Sequence, residues 1–249
     1  MLASATSSCR RLLLGALVLL PVSAAVRAAT TGSGRAGTES RSVSGFQAIA
    51  VSDAIELAVR QGSQEALTLS ADDNLLPLIE TAVEDGRHGR TLMIRLRRGE
   101  SVHPRTPIKA VVDVLRLQAL AVAGSGDVSV GALQTPALDL GLAGSADVRL
   151  QRLETERLAI RIAGSGDVQA AGSAAHLTLR IAGSGDAELA ALVVDEASVS
   201  ISGSGDAELT AQKSLAVTIA GSGDVTYGGA VTAVRSSVAG SGRVRRRAG

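Results

Sequence analysis

The sequence predicts an all-β protein whose larger part is a parallel β-helix, a solenoid with coils of about 19–20 residues. The pentapeptide Ala123-Gly124-Ser125-Gly126-Asp127 returns at residues 143–147 with Ala146 for the second glycine, then at 163–167, 182–186, 202–206, 220–224 and, ending in Arg243, at 239–243. The steps between fifth positions are 20, 20, 19, 20, 18 and 19 residues, a period at which each repeat is one turn of chain that buries its apolar side against its neighbours. Between the pentapeptides apolar residues alternate with polar ones, which is the mark of half-buried strands. The period is shared by leucine-rich repeats, but those need a recurring Asn or Cys that is missing here.

In chain order, residues 1–28 read as a secretory signal peptide: Arg10 and Arg11 precede the apolar run Leu12 to Leu20, and Val26-Arg27-Ala28 offers a small-residue cleavage site. The run is too short to span a membrane, and the mature chain is expected to have no transmembrane segment. The one cysteine, Cys9, lies in this leader, so a disulfide framework, a thiol nucleophile and cysteine metal sites are excluded after cleavage. Residues 29–44, rich in Gly, Ser and Thr, are expected to be a flexible lead-in.

Residues 45–107 form a β-rich part that caps or continues the solenoid. Ile49 and Val51, then Ile55, Leu57 and Val59, and then Leu67 and Leu69 alternate as strands. Asp72-Asp73-Asn74 ahead of Leu75, Leu76, Leu78, Ile79, Ala82 and Val83 predicts one short helix of about two turns, with Pro77 near its start. Leu92, Ile94 and Leu96 alternate in a further strand, and residues 99–107 read as a loop.

Residues 108–249 are the GSGD-repeat β-helix. A short strand follows each pentapeptide (Val128 and Val130; Val148 and Leu150), and a longer one precedes the next (Leu138, Leu140 and Leu142; Leu158, Ile160 and Ile162). Leu133, Leu153 and Leu192 mark a third side. Coils about 4.8 Å apart over six intervals give a rod section of roughly 29 Å. Arg243, Arg245, Arg246 and Arg247 read as an Arg-rich cap on its last edge, with an anionic lipid or polysaccharide surface as the alternative.

The repeated corner is a turn that must leave room for identical turns above and below. The first glycines, Gly124, Gly144, Gly164, Gly183, Gly203, Gly221 and Gly240, are expected to hold a conformation open to glycine alone. In-register stacking places Asp127, Asp147, Asp167, Asp186, Asp206 and Asp224 in one row, where neighbouring charges in water repel by about 0.9 kcal/mol. Something must offset this. Either each Asp accepts bonds from amides or the Ser hydroxyl of its own turn, the favoured reading, or the row binds Ca²⁺ or another hard cation through oxygen.

Other chemistry is thin. The sequence offers no nucleophile beside a base, and no catalytic or cofactor-binding residue is assigned. His88, His103 and His176 show no metal-ligand spacing. Beyond the leader, 22 Lys and Arg face 24 Asp and Glu, so bulk attraction to nucleic acid is not expected, even though Arg87, Arg90, Arg95, Arg97, Arg98, Arg105 and Lys109 crowd one stretch. Phe46 and Tyr227 are the only aromatic residues, which disfavours stacking-based sugar or single-strand sites.

Phe46-x-x-Ile49-x-Val51, Ile55-x-Leu57-x-Val59-x-x-Gly62, Asp73-Asn74-Leu75-Leu76 and the GSGD coils ending in Gly223-Asp224-Val225-Thr226-Tyr227 resemble the GIN-domain family, DUF2807, the auto-transporter adhesin head domain. The resemblance covers about residues 42–244. It implies a parallel β-helix in an exported bacterial protein, and it carries no residue-level site. The expected function is therefore a non-catalytic adhesion-type module of the periplasm, cell surface or exterior. Its expected partner is an envelope polysaccharide or protein. A cation-stabilised rod and, behind it, a polysaccharide-active enzyme are the alternatives.

Overall fold

A computed structural model of the chain describes residues 29–247, so the proposed signal peptide lies outside the described residues. Eight short strands and one 3-10 turn precede the repeats. In order they are β1 (Thr30–Thr31), β2 (Ala36–Arg41), β3 (Ala48–Asp53), β4 (Ile55–Gln61), β5 (Ala66–Asp72), a 3-10 turn at Leu76–Leu78, β6 (Ile79–Gly86), β7 (Gly89–Leu96) and β8 (Val102–His103). The repeat region is β9 (Ile108–Val114), β10 (Ala119–Gly124), β11 (Val128–Gly144), β12 (Val148–Gly164), β13 (Val168–Gly183), β14 (Ala187–Gly203), β15 (Ala207–Gly221), β16 (Val225–Gly228), β17 (Ala233–Gly240) and β18 (Val244–Arg246).

From β10 onward every pairing is parallel and, outside a few local shifts, in register, so like residues stack into interior columns. One column runs Leu138, Leu158, Leu177, Ala197, Leu215; another runs Leu142, Ile162, Ile181, Ile201, Ile219. All ten are buried, and each large member contributes about 1.5–3 kcal/mol through water removed from its surface. The second and third sides, expected as separate strands, run on as one strand per coil. The unequal coil lengths are absorbed at register shifts such as those between Leu150 and Leu153 and between Leu189 and Val193, well away from the GSGD corner. The corner tolerates no slip, so length varies where the chain can bulge.

The N-terminal part continues the solenoid and then closes it. β3 and β4 make one further coil, pairing with β10 and β11. Beyond them the pairing turns antiparallel: β6 with β7 on one face, and β9 with β5 and β5 with β2 on the other. This differs from expectation in three places. The lead-in is ordered, since β1 pairs β8 and β2 pairs β5; β8 also puts a strand inside the expected 99–107 loop.

The predicted helix is absent. After one 3-10 turn, with no side-chain cap, the chain goes straight into β6. The Leu76 carbonyl accepts the Ile79 amide, which closes the 3-10 turn, together with the Arg41 guanidinium at 2.9 Å; Arg41 also takes the Ile79 carbonyl at 2.6 Å, and from Ile79 the chain pairs with β7 in place of continuing a helix. Leu75 and Leu76 are buried at the turn, which accounts for apolar spacing that resembles a helix.

Asp72, read as a helix cap, is instead a buried latch. Its Oδ1 accepts from the Gly34 amide at 2.9 Å and the Thr106 hydroxyl at 3.0 Å, and its Oδ2 from the amides of Arg105 and Thr106 at 2.8 and 3.1 Å. Burial by itself would raise its pKa, but the Thr106, Arg105 and Gly34 bonds together outweigh burial and hold it below the usual carboxylate value. The stability this contributes is complete above about pH 4 and is lost as pH falls through the depressed folded value. Asp72→Asn is expected to lower the melting temperature at pH 7 and to speed hydrogen exchange at Gly34, Arg105 and Thr106. Between about pH 4 and pH 2 the wild type then loses stability more steeply than the variant; parallel melting curves would refute this latch.

Candidate functional site

The corner begins as each long strand reaches its first glycine. There φ lies between +124° and +144° for Gly124, Gly144, Gly164, Gly183, Gly203, Gly221 and Gly240, in a region that Cβ-bearing residues avoid. Space is equally short. A Cβ on Gly164 would lie 2.3 Å from the Gly144 carbonyl oxygen, and one on Gly183 2.2 Å from that of Gly164. That same carbonyl receives the next coil's serine amide: Ser165 to Gly144 and Ser184 to Gly164, both at 2.9 Å. The hydrogen bond that stacks the coils therefore occupies the space a side chain would need.

The second glycine is different in kind. Its φ is unremarkable, and the constraint is closeness alone, with a Cβ on Gly166 meeting the Ala146 oxygen at 2.2 Å. Among the pentapeptides the chain itself carries a side chain there once, at Ala146, which is fully buried. In later coils an isoleucine of the coil below crowds the position too, as Ile162 does 2.9 Å from a Cβ on Gly185.

The aspartates are bonded across coils. Oδ1 of each accepts the amide of the fifth corner residue in the next coil: Asp147 from Asp167 at 3.4 Å, Asp167 from Asp186 at 2.8 Å, Asp186 from Asp206 and Asp206 from Asp224 at 2.7 Å, and Asp224 from Arg243 at 2.9 Å. The acceptor is backbone, as expected, but of the neighbouring turn and not of the residue's own. Each Asp carbonyl also accepts from the coil below, as in Val148 to Asp167 at 2.8 Å. Amide dipoles thus separate successive carboxylates and offset their repulsion. Asp127 heads the row with an exposed side chain.

Arginines bear on the row unequally. Arg149 stands 4.0 Å from Asp147, whereas Arg161 is drawn away to Asp139. At the end of the row, burial pushes the Asp224 pKa up, but the Arg243 amide and the charges of Arg243 and Arg245 outweigh it and hold the group low. No group of three or more His, Cys, Asp or Glu side chains among the described residues is placed to hold a metal ion.

Sequence reasoning missed the degenerate first corner. Asp53 pairs with Gly124 and, among the described residues, is the one non-glycine residue with positive φ, +69°. Ser52-Asp53-Ala54-Ile55-Glu56 therefore occupies the place of Ala-Gly-Ser-Gly-Asp, with Ile55 turned into the core. The signal was the four-residue step from Asp53 to Leu57, the same as from Gly124 to Val128. Sequence reasoning also missed carboxylate partners for the histidines: His176 meets Glu196 of the next coil at 3.2 Å, and His88 meets Asp139 at 3.7 Å.

The basic stretch is partly neutralised. Arg95 lies 3.1 Å from Glu80, Lys109 lies 3.0 Å from Glu56, and Arg97 bonds the Pro77 carbonyl.

Away from the corners the surface is regular. On the side formed by the long strands, outward residues stack as Ala163, Ala182, Ser202, Ala220 and Ala239, and beside them as Arg161, Arg180, Ser200, Thr218 and Ser237. On the side after each corner lies a shallow groove of about 470 Å³ lined by Arg149, Gln169, Ala171, Ala190, Glu188 and Glu208. Its stacked carboxylates are engaged, Glu188 by Gln169 at 3.0 Å and Glu208 by Arg247 at 3.2 Å.

Residues 45–231 match the family described as "putative auto-transporter adhesin, head GIN domain". The chain belongs to the GIN-domain family. The GIN domain here resembles the crystal structure of a "putative adhesin" from Bacteroides fragilis, with a TM-score of 0.82 and 26% identity over 87% of this chain and 99% of that one. A "putative adhesin" from Parabacteroides distasonis matches at a TM-score of 0.70 and 25% identity, over 88% of this chain and 100% of that one. A "putative lipid binding protein" from the same species shares the fold at a TM-score of 0.73 and 23% identity, over 89% of this chain and 100% of that one. No curated protein matches. Among the described residues no helix is long and apolar enough to cross a membrane.

The two glycines of one corner give a direct test. Gly164→Ala combines a forbidden φ with backbone overlap and is expected to cost about 3 kcal/mol or more. Gly166→Ala, at the position where Ala146 is tolerated, is expected to cost about half that or less, by denaturant unfolding. Equal losses would show that the two positions are equivalent.

Proposed function

We propose that this GIN domain is an exported, non-catalytic adhesion-type module that binds a repeating polymer of the cell envelope, a polysaccharide or a protein, along its flat lateral side. The observation that carries the reading is the register of that side. Hydroxyl-bearing and small residues repeat along the rod axis at the coil spacing, with Ser200, Thr218 and Ser237 in one row and Ser202 among alanines in the next. A surface with a fixed repeat matches a partner with a repeat of its own, and many weak hydrogen bonds add through avidity. Membership of an adhesin-described family and likeness to the Bacteroides fragilis structure support the same reading.

In this reading the aspartate row is scaffold and not a cation site, because its Oδ1 atoms serve the neighbouring coil's amides. Adding a chelator such as EDTA is expected to leave the melting temperature unchanged; a clear drop, restored by Ca²⁺, would replace the proposal with a cation-stabilised rod.

The binding test uses the purified domain and fractionated envelope polysaccharides and proteins. Wild type is expected to bind one repeating component. A Ser200→Glu, Ala182→Lys double variant, changed at solvent-facing positions of the flat side, is expected to bind about tenfold more weakly with an unchanged melting temperature. Failure to bind any fraction, or equal binding by the variant, would overturn the lateral-side reading.

A further inference from the structure

The two ends of the rod are unlike. At the N-terminal end the columns close under β6 and β7 and the buried Leu76. At the other end, among the described residues, β17 pairs with β15 alone, and all eight of its residues are exposed. Val234 and Val238 extend the columns of Leu215 and Ile219, yet each is 41% exposed. One edge of β17 therefore offers unpaired backbone donors and acceptors beside an apolar interior left open to water.

Charge is concentrated at the same end. Arg243 and Arg245 both reach Asp224, Arg247 reaches Glu208, and Arg246 bonds the Gly229 carbonyl, with Arg235 on β17 itself. Five guanidinium groups thus share two carboxylates. Arg243 also ends the corner ladder. Its amide donates to the Asp224 carboxylate and its carbonyl accepts the Val225 amide, but it brings no carboxylate to receive the amide of another coil.

We infer that this open end is a docking site for one extended strand of a partner protein, added parallel to β17, with alternating apolar residues over Val234 and Val238 and an acidic residue where its chain turns above Arg243. Backbone groups on the strand satisfy the free edge, its apolar residues close the two columns, and its carboxylate meets the guanidinium cluster. A lipid surface could meet the charge but supplies no donors and acceptors in register with β17. A second copy fits poorly: like end to like end it would bring five arginines against the same five, and head to tail it would offer β6, which runs antiparallel to the coils and whose Glu80 and Glu84 are already held by Arg95. The arginines thus discriminate: they discourage self-pairing of the edge while admitting an acidic strand.

The site is independent of the lateral side, and the experiment keeps the two apart. The probe is a synthetic peptide with the sequence of residues 215–226, this chain's own strand and Asp-ended corner, titrated into the full domain by calorimetry. It is expected to bind one to one and to slow hydrogen exchange across Val234–Gly240. Val238→Asp, at an exposed position, is expected to weaken binding about tenfold without lowering the melting temperature, and so is replacing the peptide's Asp224 by Arg. The Ser200→Glu, Ala182→Lys variant is expected to bind the peptide as wild type does. Absence of peptide binding, or binding indifferent to Val238→Asp, would overturn the proposal. So would concentration-dependent self-association that protects β17, which would assign the end to a second copy. Capture by phosphatidylglycerol vesicles in place of the peptide would assign it to a membrane surface.

Discussion

The fold rests on a steric constraint at one carbonyl. The oxygen of each first corner glycine accepts the serine amide of the coil above, at 2.9 Å for Ser145, Ser165, Ser184 and Ser204. That bond fixes the coils at strand spacing and leaves no room for a Cβ. Because it fixes register at the same point in every turn, all else on the coil falls into line: interior leucines and isoleucines into columns, exposed residues into rows, and aspartates into a chain of carboxylate-to-amide bonds. Variation in coil length is pushed to the second side, where the chain can bulge without disturbing the corner.

A structure in which each coil touches only its neighbours has no shared core to close its ends. This chain treats the two ends differently. Toward the N-terminus it converts parallel coils into antiparallel hairpins and ties the segment ahead of β2 to the loop after β8 through the Asp72 carboxylate. Toward the C-terminus it stops the aspartate ladder with Arg243 and, among the described residues, leaves β17 with an open edge. The same repeat that makes the middle self-complementary makes that edge a template, and five arginines restrict what can add to it.

The regularity also bears on function. Long insertions between coils would build a cleft, and here the coils differ by at most two residues. What the rod presents is length and period, with polar groups repeated along its sides and acids in the groove already engaged by Gln169 and Arg247. Such a surface underlies the adhesion-type reading proposed above.

The period, the glycine-only corner and the alternating strands were legible in the sequence because each is a local property repeated many times, and repetition averages out the ambiguity of a single segment. The flat sides followed from the same alternation. Where a residue's role depended on a partner brought by folding, local reading failed. Asp72 resembled a helix cap until Gly34 and Thr106 surrounded it, and Leu75 to Ile79 resembled a helix until the chain from Ile79 paired with β7. The corner aspartates bond one coil away, and His176 finds Glu196 in the next turn. The sequence alone determined the coil and its corner; the tertiary structure decided which coil satisfies each polar group, because that depends on register between segments some twenty to forty residues apart.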